Sequence, residues 1–293
     1  MNGVPGRTQA ARGLMKEGAT MPDQHVPGGL IGVVHLPAMP GDPCHRAELA
    51  GFAGVEALAL ADAEALARGG VDGLILENFG SVPFGKGTAG DRLPPHQIAA
   101  MAILARICRE RFSLPTGVNC LRNDAPAALG IAAAAGLDFI RVNVHTGAYV
   151  TDQGVIEGEA HHTLRYRQAL GARHVSILAD VLVKHAAPLA PISATAAVHD
   201  CLHRGLADGV IVTGEATGAP TALARLREVR QAAGDRPVLV GSGLTPERAG
   251  DLAPLAHGAI VGTWLKRGGD VSAAVDPARV QELVAAVKGR WRR

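Results

Sequence analysis

The chain has 293 residues, 47% of them hydrophobic but only 3% aromatic, and a formal net charge of +2. That length could hold one large domain or two small ones, and the composition calls for a core built from Ala, Val, Leu and Ile, as in a parallel sheet wrapped by helices. The near-balanced charge gives no electrostatic case for nucleic acid or an anionic membrane, and no apolar run reaches the roughly 18 residues that span a bilayer.

Residues 1–29 mix Gly, Pro, Arg and Gln without a period and read as a flexible extension outside the fold. They lack the apolar middle of a signal peptide, so a soluble cytoplasmic protein is expected. The first apolar run, 31–34, ends in His35, and a long connection leads to a helix expected over 55–68, stopped by Gly69-Gly70. The second run, 73–76, ends in Glu77-Asn78, and a helix is expected over 96–112. The third, 116–118, meets Asn119, and Arg122 follows before Asp124, a natural N-cap for a helix over 125–135 that Gly136 ends. The fourth, 139–142, leads to Asn143 and His145. Residues 146–162, with Asp152, are polar and contain Gly, which suits a loop that folds over a ligand. Helix 163–170 follows.

The fifth run, 176–179, meets Asp180, with Lys184 and His185 beyond it and a helix expected over 194–204. The sixth, 210–212, ends in Thr213-Gly214 before a helix over 221–233. The seventh, 238–240, runs into Gly241-Ser242-Gly243 and a helix over 246–252. The eighth, 259–261, meets Gly262-Thr263, and the last helix is expected over 277–291. Strand and helix thus alternate eight times, with the polar groups at the same end of every strand. Right-handed crossovers allow an open doubly wound sheet or a closed barrel; the count of eight and the lack of a G-x-G-x-x-G after the first run favour one (β/α)8 barrel over 30–293.

Several of these ends carry chemistry. The Gly241-Ser242-Gly243 and Gly262-Thr263 loops together resemble a phosphate cradle, because small residues expose backbone N–H groups; taken singly, either is only a tight turn. Arg141, Asn143 and His145 recur at period two, so in a strand they share a face, and the costly burial of Arg against Ala-rich helices argues for the barrel interior. Glu77 and Asp180 provide carboxylates from across the ring for general acid and base work. Lys184 could bind an anion or form a Schiff base, with an ion pair to Asp180 as the simpler role. His145 is a candidate proton shuttle. His35, Asn78, Asn119, Arg122, Arg141, Asn143, Asp152 and Thr213 are candidate substrate ligands. A divalent metal on His35, Glu77 and Asp180 is an alternative without a ligand motif, since no H-E-x-x-H occurs. Cys44, Cys108, Cys120 and Cys201 are scattered with no Cys-x-x-Cys pair, as expected of free thiols.

The strings Ile31 to Pro37, Leu76 to Gly80, Gly117 to Asp124, Arg141 to His145 and Thr151 to Gly154 resemble the BtpA/SgcQ family. Ala179 to Ala186, Val240 to Gly243, Ile260 to Thr263 and Val275 to Pro277 continue the match, in order, over residues 30–285. The resemblance implies a (β/α)8 barrel close to the ribulose-phosphate-binding group. It implies either a barrel enzyme acting on a phosphorylated sugar or nucleoside-like molecule, in some members described as a nucleosidase, or a biogenesis factor for photosystem I assembly. The expected partner is a phosphorylated small molecule, and a homo-oligomer is expected because such barrels often self-associate.

Overall fold

A computed structural model describes residues 26–214 and 222–292. Its strands, in chain order, are β1 (Gly29–His35), β2 (Gly73–Glu77), β3 (Thr116–Asn119), β4 (Phe139–Val142), β5 (Ala148–Thr151), β6 (Gly154–Glu157), β7 (Ser176–Val181), β8 (Ala186–Pro188), β9 (Gly209–Val212), β10 (Val238–Val240) and β11 (Gly258–Val261). Eight of them close into a parallel barrel in the order β1-β2-β3-β4-β7-β9-β10-β11, and each contains one of the eight apolar runs. The fold is the (β/α)8 barrel that the alternation implied.

The helices between them are α1 (Phe52–Gly69), α2 (Pro95–Phe112), α3 (Ala125–Ala135), α4 (Ala160–Ala169), α5 (Ala194–His199), α6 (Leu223–Ala233), α7 (Ala249–Leu252) and α8 (Pro277–Val287). Asp124 caps α3 by accepting from Ala127 N at 3.0 Å, and it also accepts from Leu93 N at 2.8 Å, which ties the β2–α2 connection to the same turn. Left-handed Gly70 and Gly136 end α1 and α3. α4 starts earlier than the pattern indicated, at Ala160. α5 runs on as a π-helical turn, Asp200–Arg204, and α7 is a single turn flanked by 3-10 turns. α8 ends at Val287, short of Trp291. Residues 1–25 of the N-terminal extension, and Thr221 at the expected start of α6, lie outside the described residues. Val26 already packs on the barrel interior, and Gly29 N donates to His257 O at 2.8 Å, so the barrel begins slightly before residue 30.

Strand alternation divides the apolar residues into two cores. Val34, Leu76, Val118, Ile140, Ile177 and Val210 face the helices, while Ile31, Val33, Ile75, Phe139, Leu178, Ile211, Leu239 and Ile260 fill the barrel. A methyl group on Gly117 would lie 2.4 Å from the Phe139 ring, so that glycine makes room for the largest side chain of the interior.

The segment expected as a loop over 146–162 is largely regular. β5 and β6 form an antiparallel hairpin, and β5 also pairs with β8. Tyr149 and Ile156 on its inner face bury against Val144 and Val183, whereas Val150 and Val155 on the outer face are exposed. The polar sequence reflects a small two-faced sheet, not an unstructured lid.

Candidate active site

Two residues beyond each interior apolar position, the same lattice direction brings the next layer inward. That layer is His35, Glu77, Asn119, Arg141, Asp180, Thr213, Gly241 and Gly262, one from each barrel strand or from the residue just after it. Register links four of them directly: His35 pairs with Glu77, Glu77 with Asn119, and Asn119 with Arg141. Glu77 Oε2 accepts from Asn119 Nδ2 at 2.7 Å and lies 4.0 Å from Arg141 Nη1. Arg141 grips Asp180 with two hydrogen bonds, Nε to Oδ1 at 3.0 Å and Nη2 to Oδ2 at 2.9 Å, and Asn143 Nδ2 donates to the same Oδ2 at 3.0 Å. The fork matches a carboxylate in shape and charge, so a guanidinium at 3% exposure is tolerated in the interior.

Above this layer is a cavity of about 230 Å3. Its walls include His35, Glu77, Arg141 and Lys184 together with Gly241-Ser242-Gly243, Gly262-Thr263 and Trp264. The two glycine loops and the charged groups therefore share one space. Gly243 turns at φ +72°. A methyl group on Gly262 would sit 2.4 Å from His35 Cε1, and one on Gly241 2.8 Å from Thr213 Cγ2, so both glycines also have a packing reason to be small. After Gly262 a 3-10 turn, Thr263–Leu265, begins with N–H groups that have no partner within the turn. Ser242 Oγ accepts from Gly214 N at 2.7 Å, which links this wall to β9.

Burial and neighbouring charge set the protonation of these groups. Burial alone would raise the Glu77 carboxyl, but the charges of Arg141 and Lys184 and the Asn119 hydrogen bond outweigh it, leaving Glu77 below its ordinary value and ionised. Burial pushes the His35 imidazole down to about 4, so it is neutral, and its ring leans on Phe79 with centroids 4.8 Å apart. The Lys184 ammonium is lowered by burial and then by Arg141, with a smaller push from Arg122, against the pull of the Glu77 and Asp180 charges.

Other expected site residues fall elsewhere. Asn78 spends its amide on Leu121, accepting from Leu121 N at 2.7 Å and donating to Leu121 O at 3.1 Å, and so holds the β3 loop. His145 turns outward, its Nε2 2.8 Å from Gly205 O, because β4 ends at Val142 and the period-two alternation stops there. Asp180 is engaged by Arg141 and Asn143 and is not part of the cavity wall. Arg122 binds Lys184 O at 2.8 Å, and exposed Asp152, at the hairpin tip, acts on Arg122 through its charge. Thr213 is buried, with Oγ1 unpaired among the described residues. Among the described residues no three His, Cys, Asp or Glu are grouped to hold a metal, so His35, Glu77 and Asp180 do not form such a set. Trp264 and Thr245 line the cavity without having been singled out. Their adjacency to the two glycine loops was the available signal. Among the described residues no helix is long and apolar enough to cross a membrane.

The family model described as "BtpA family" matches residues 27–289. The photosystem I biogenesis protein BtpA of Synechocystis sp. is 46% identical over 258 residues, 88% of this chain and 87% of that protein. An uncharacterized protein of Thermococcus kodakarensis is 42% identical over 259 residues, covering 88% of this chain and 95% of its own. Among solved structures, thiamine phosphate pyrophosphorylase from Pyrococcus furiosus superposes with a TM-score of 0.54 at 11% identity, over 89% of this chain and 95% of that one. Orotidine 5′-phosphate decarboxylase from Pyrococcus horikoshii gives 0.53 at 13% identity, over 89% of this chain and 100% of its own. At such identities the likeness shows a shared barrel fold.

Proposed function

This chain belongs to the BtpA family, and we propose that it is an enzyme acting on a phosphorylated sugar or nucleoside-like small molecule. The observation that carries this reading is the single cavity joining both glycine loops to Glu77, Arg141 and Lys184. Gly241, Ser242, Gly243, Gly262 and Thr263 anchor the phosphate, with cationic Arg141 in the same space to balance its charge. The barrel neighbours named for phosphorylated compounds add support of a general kind.

Glu77 is the acid–base group. Being ionised, it can accept a proton from a substrate hydroxyl or water, or stabilise the positive charge that develops as an N-glycosidic bond breaks. Asp180 is a positioning residue, because its oxygens hold the Arg141 fork. His35, neutral, offers a ring nitrogen to a hydroxyl, Trp264 offers an apolar wall, and Asn119 orients Glu77. Hydrolase and lyase chemistry both fit this set. The test is a thermal-shift screen of phosphosugars, nucleotides and unphosphorylated nucleosides, followed by turnover of any hit. Phosphorylated compounds should raise Tm and Glu77→Gln should lower kcat about 100-fold or more. Stabilisation by unphosphorylated compounds alone, or full turnover by Glu77→Gln, would overturn the reading.

A biogenesis role like that in the name of the Synechocystis relative is favoured by one observation, the exposed apolar residues Val150 and Val155 on the β5-β6 hairpin and Leu189 just after β8. If a Glu77→Gln, Lys184→Met chain sustains the biological role, docking is the function and catalysis is not.

A further inference from the structure

We propose that Lys184 is a nucleophilic amine that forms a covalent imine with the ketone carbonyl of a phosphorylated substrate. This deepens the reading above and rests on its phosphate anchor. An ion pair with Asp180 was the simpler role for this lysine, and the structure removes it: Asp180 is taken by Arg141 and Asn143. Among the described residues, Lys184 Nζ has no ion pair and no hydrogen bond. A half-buried ammonium on the wall of a cavity is normally matched to a carboxylate, and the neighbouring arginine has both carboxylates of the ring within its reach instead.

The backbone around Lys184 is held in place at some cost. Leu182 at φ +52° and His185 at φ +56° are both left-handed, a conformation that side chains of this size adopt rarely. Two such residues within one short turn, with the Lys184 carbonyl clamped by Arg122 Nη2 at 2.8 Å, fix where the side chain enters the cavity. The same burial and the nearby Arg141 and Arg122 charges that lower the ammonium also increase the share of free amine at neutral pH.

The chemistry balances with groups at hand. Addition of the Nζ lone pair to the carbonyl carbon forms the C–N bond and moves the C=O π pair to oxygen. Glu77 takes one proton from nitrogen and passes it to that oxygen. A second proton, from solvent, lets the oxygen leave as water while the nitrogen lone pair forms the C=N bond. Glu77 returns to its starting state, and no oxidant or reductant is consumed. The resulting iminium draws electrons from the adjacent carbon, so the reaction class is lyase or isomerase chemistry next to a ketone, which N-glycosidic hydrolysis does not need.

The sequence holds only five lysines, Lys16, Lys86, Lys184, Lys266 and Lys288, so labelling can be mapped completely. Lys266 is paired with Asp62. The probes are pyridoxal 5′-phosphate, pyridoxal and dihydroxyacetone phosphate, each trapped with borohydride and located by peptide mass mapping, with a parallel titration of inorganic phosphate. Pyridoxal 5′-phosphate and dihydroxyacetone phosphate should fix one adduct, on Lys184, at least tenfold faster than any other lysine reacts. Inorganic phosphate should compete, pyridoxal should react at least tenfold more slowly, and Lys184→Arg should lose the adduct while still binding phosphate. Adducts spread over other lysines, with saturable phosphate binding intact, would overturn the imine and spare the phosphate anchor. Absence of saturable phosphate binding would instead overturn the anchor, and the imine with it.

Discussion

Asp180→Asn distinguishes a carboxylate that holds Arg141 from one that meets solvent or substrate. The Asp180 side chain has 0% exposure and that of Arg141 3%. Replacing one carboxylate oxygen by an amide –NH2 leaves the Arg141 fork a single good acceptor and sets two donors against each other. Breaking a buried ion pair of this kind costs about 3–5 kcal/mol. At about 2–4 °C per kcal/mol for a chain of this size, Tm should fall by about 6–20 °C. Urea unfolding of Asp180→Asn, Arg141→Met and the double variant gives the coupling. The double variant should be no less stable than the worse single one, so the coupling should at least equal the smaller single cost, about 3 kcal/mol. If the single costs add to within about 0.5 kcal/mol, or Asp180→Asn is nearly neutral, the two side chains do not act as a unit and Asp180 regains its place as an acid–base candidate.

His35 gives a pH signature: burial lowers its imidazole from 6.5 to about 4, so between those values the unfolded chain binds a proton that the folded chain refuses. Its contribution is complete above pH 6.5 and is lost as the pH falls toward 4, amounting to about 3 kcal/mol at 1.4 kcal/mol per pH unit; urea titrations across this window should show His35→Gln with a flatter profile, and identical slopes would contradict it. Gly262→Ala places a methyl 2.4 Å from His35 Cε1. It should cost about 1–3 kcal/mol and weaken phosphate binding more than tenfold by calorimetry. Gly117→Ala, which meets the Phe139 ring at 2.4 Å deep in the barrel, should cost a similar amount of stability while leaving phosphate affinity within twofold; equal losses in both variants would mean that affinity tracks stability and not the loop.

The fold was readable because each barrel strand carries a short apolar run followed by a polar residue, a pattern that needs no long-range information. The inward layer was readable as far as the strands extend. Arg141 follows the alternation and points inside, but His145 lies three residues past the end of β4, where nothing local specifies direction. Asn78 and Asn119 look equivalent in the sequence, yet one bonds Leu121 and the other Glu77, since register across β2 and β3 decides which amide faces the interior. The pairing of Asp180 with Arg141, which leaves Lys184 without a direct ion pair among the described residues, depends on a contact between residues 39 positions apart. The β5-β6-β8 sheet was hidden because its third strand comes from a different connection, after β7.

The most direct test of the phosphate anchor is a crystal structure of the protein soaked with a phosphorylated ketose such as ribulose 5-phosphate. Its phosphate should lie within hydrogen-bond distance of backbone N–H groups in 241–243 and 262–264, with the carbonyl end directed toward Glu77 and Lys184. A phosphate bound outside this cavity, or a cavity left empty at saturating ligand, would contradict it.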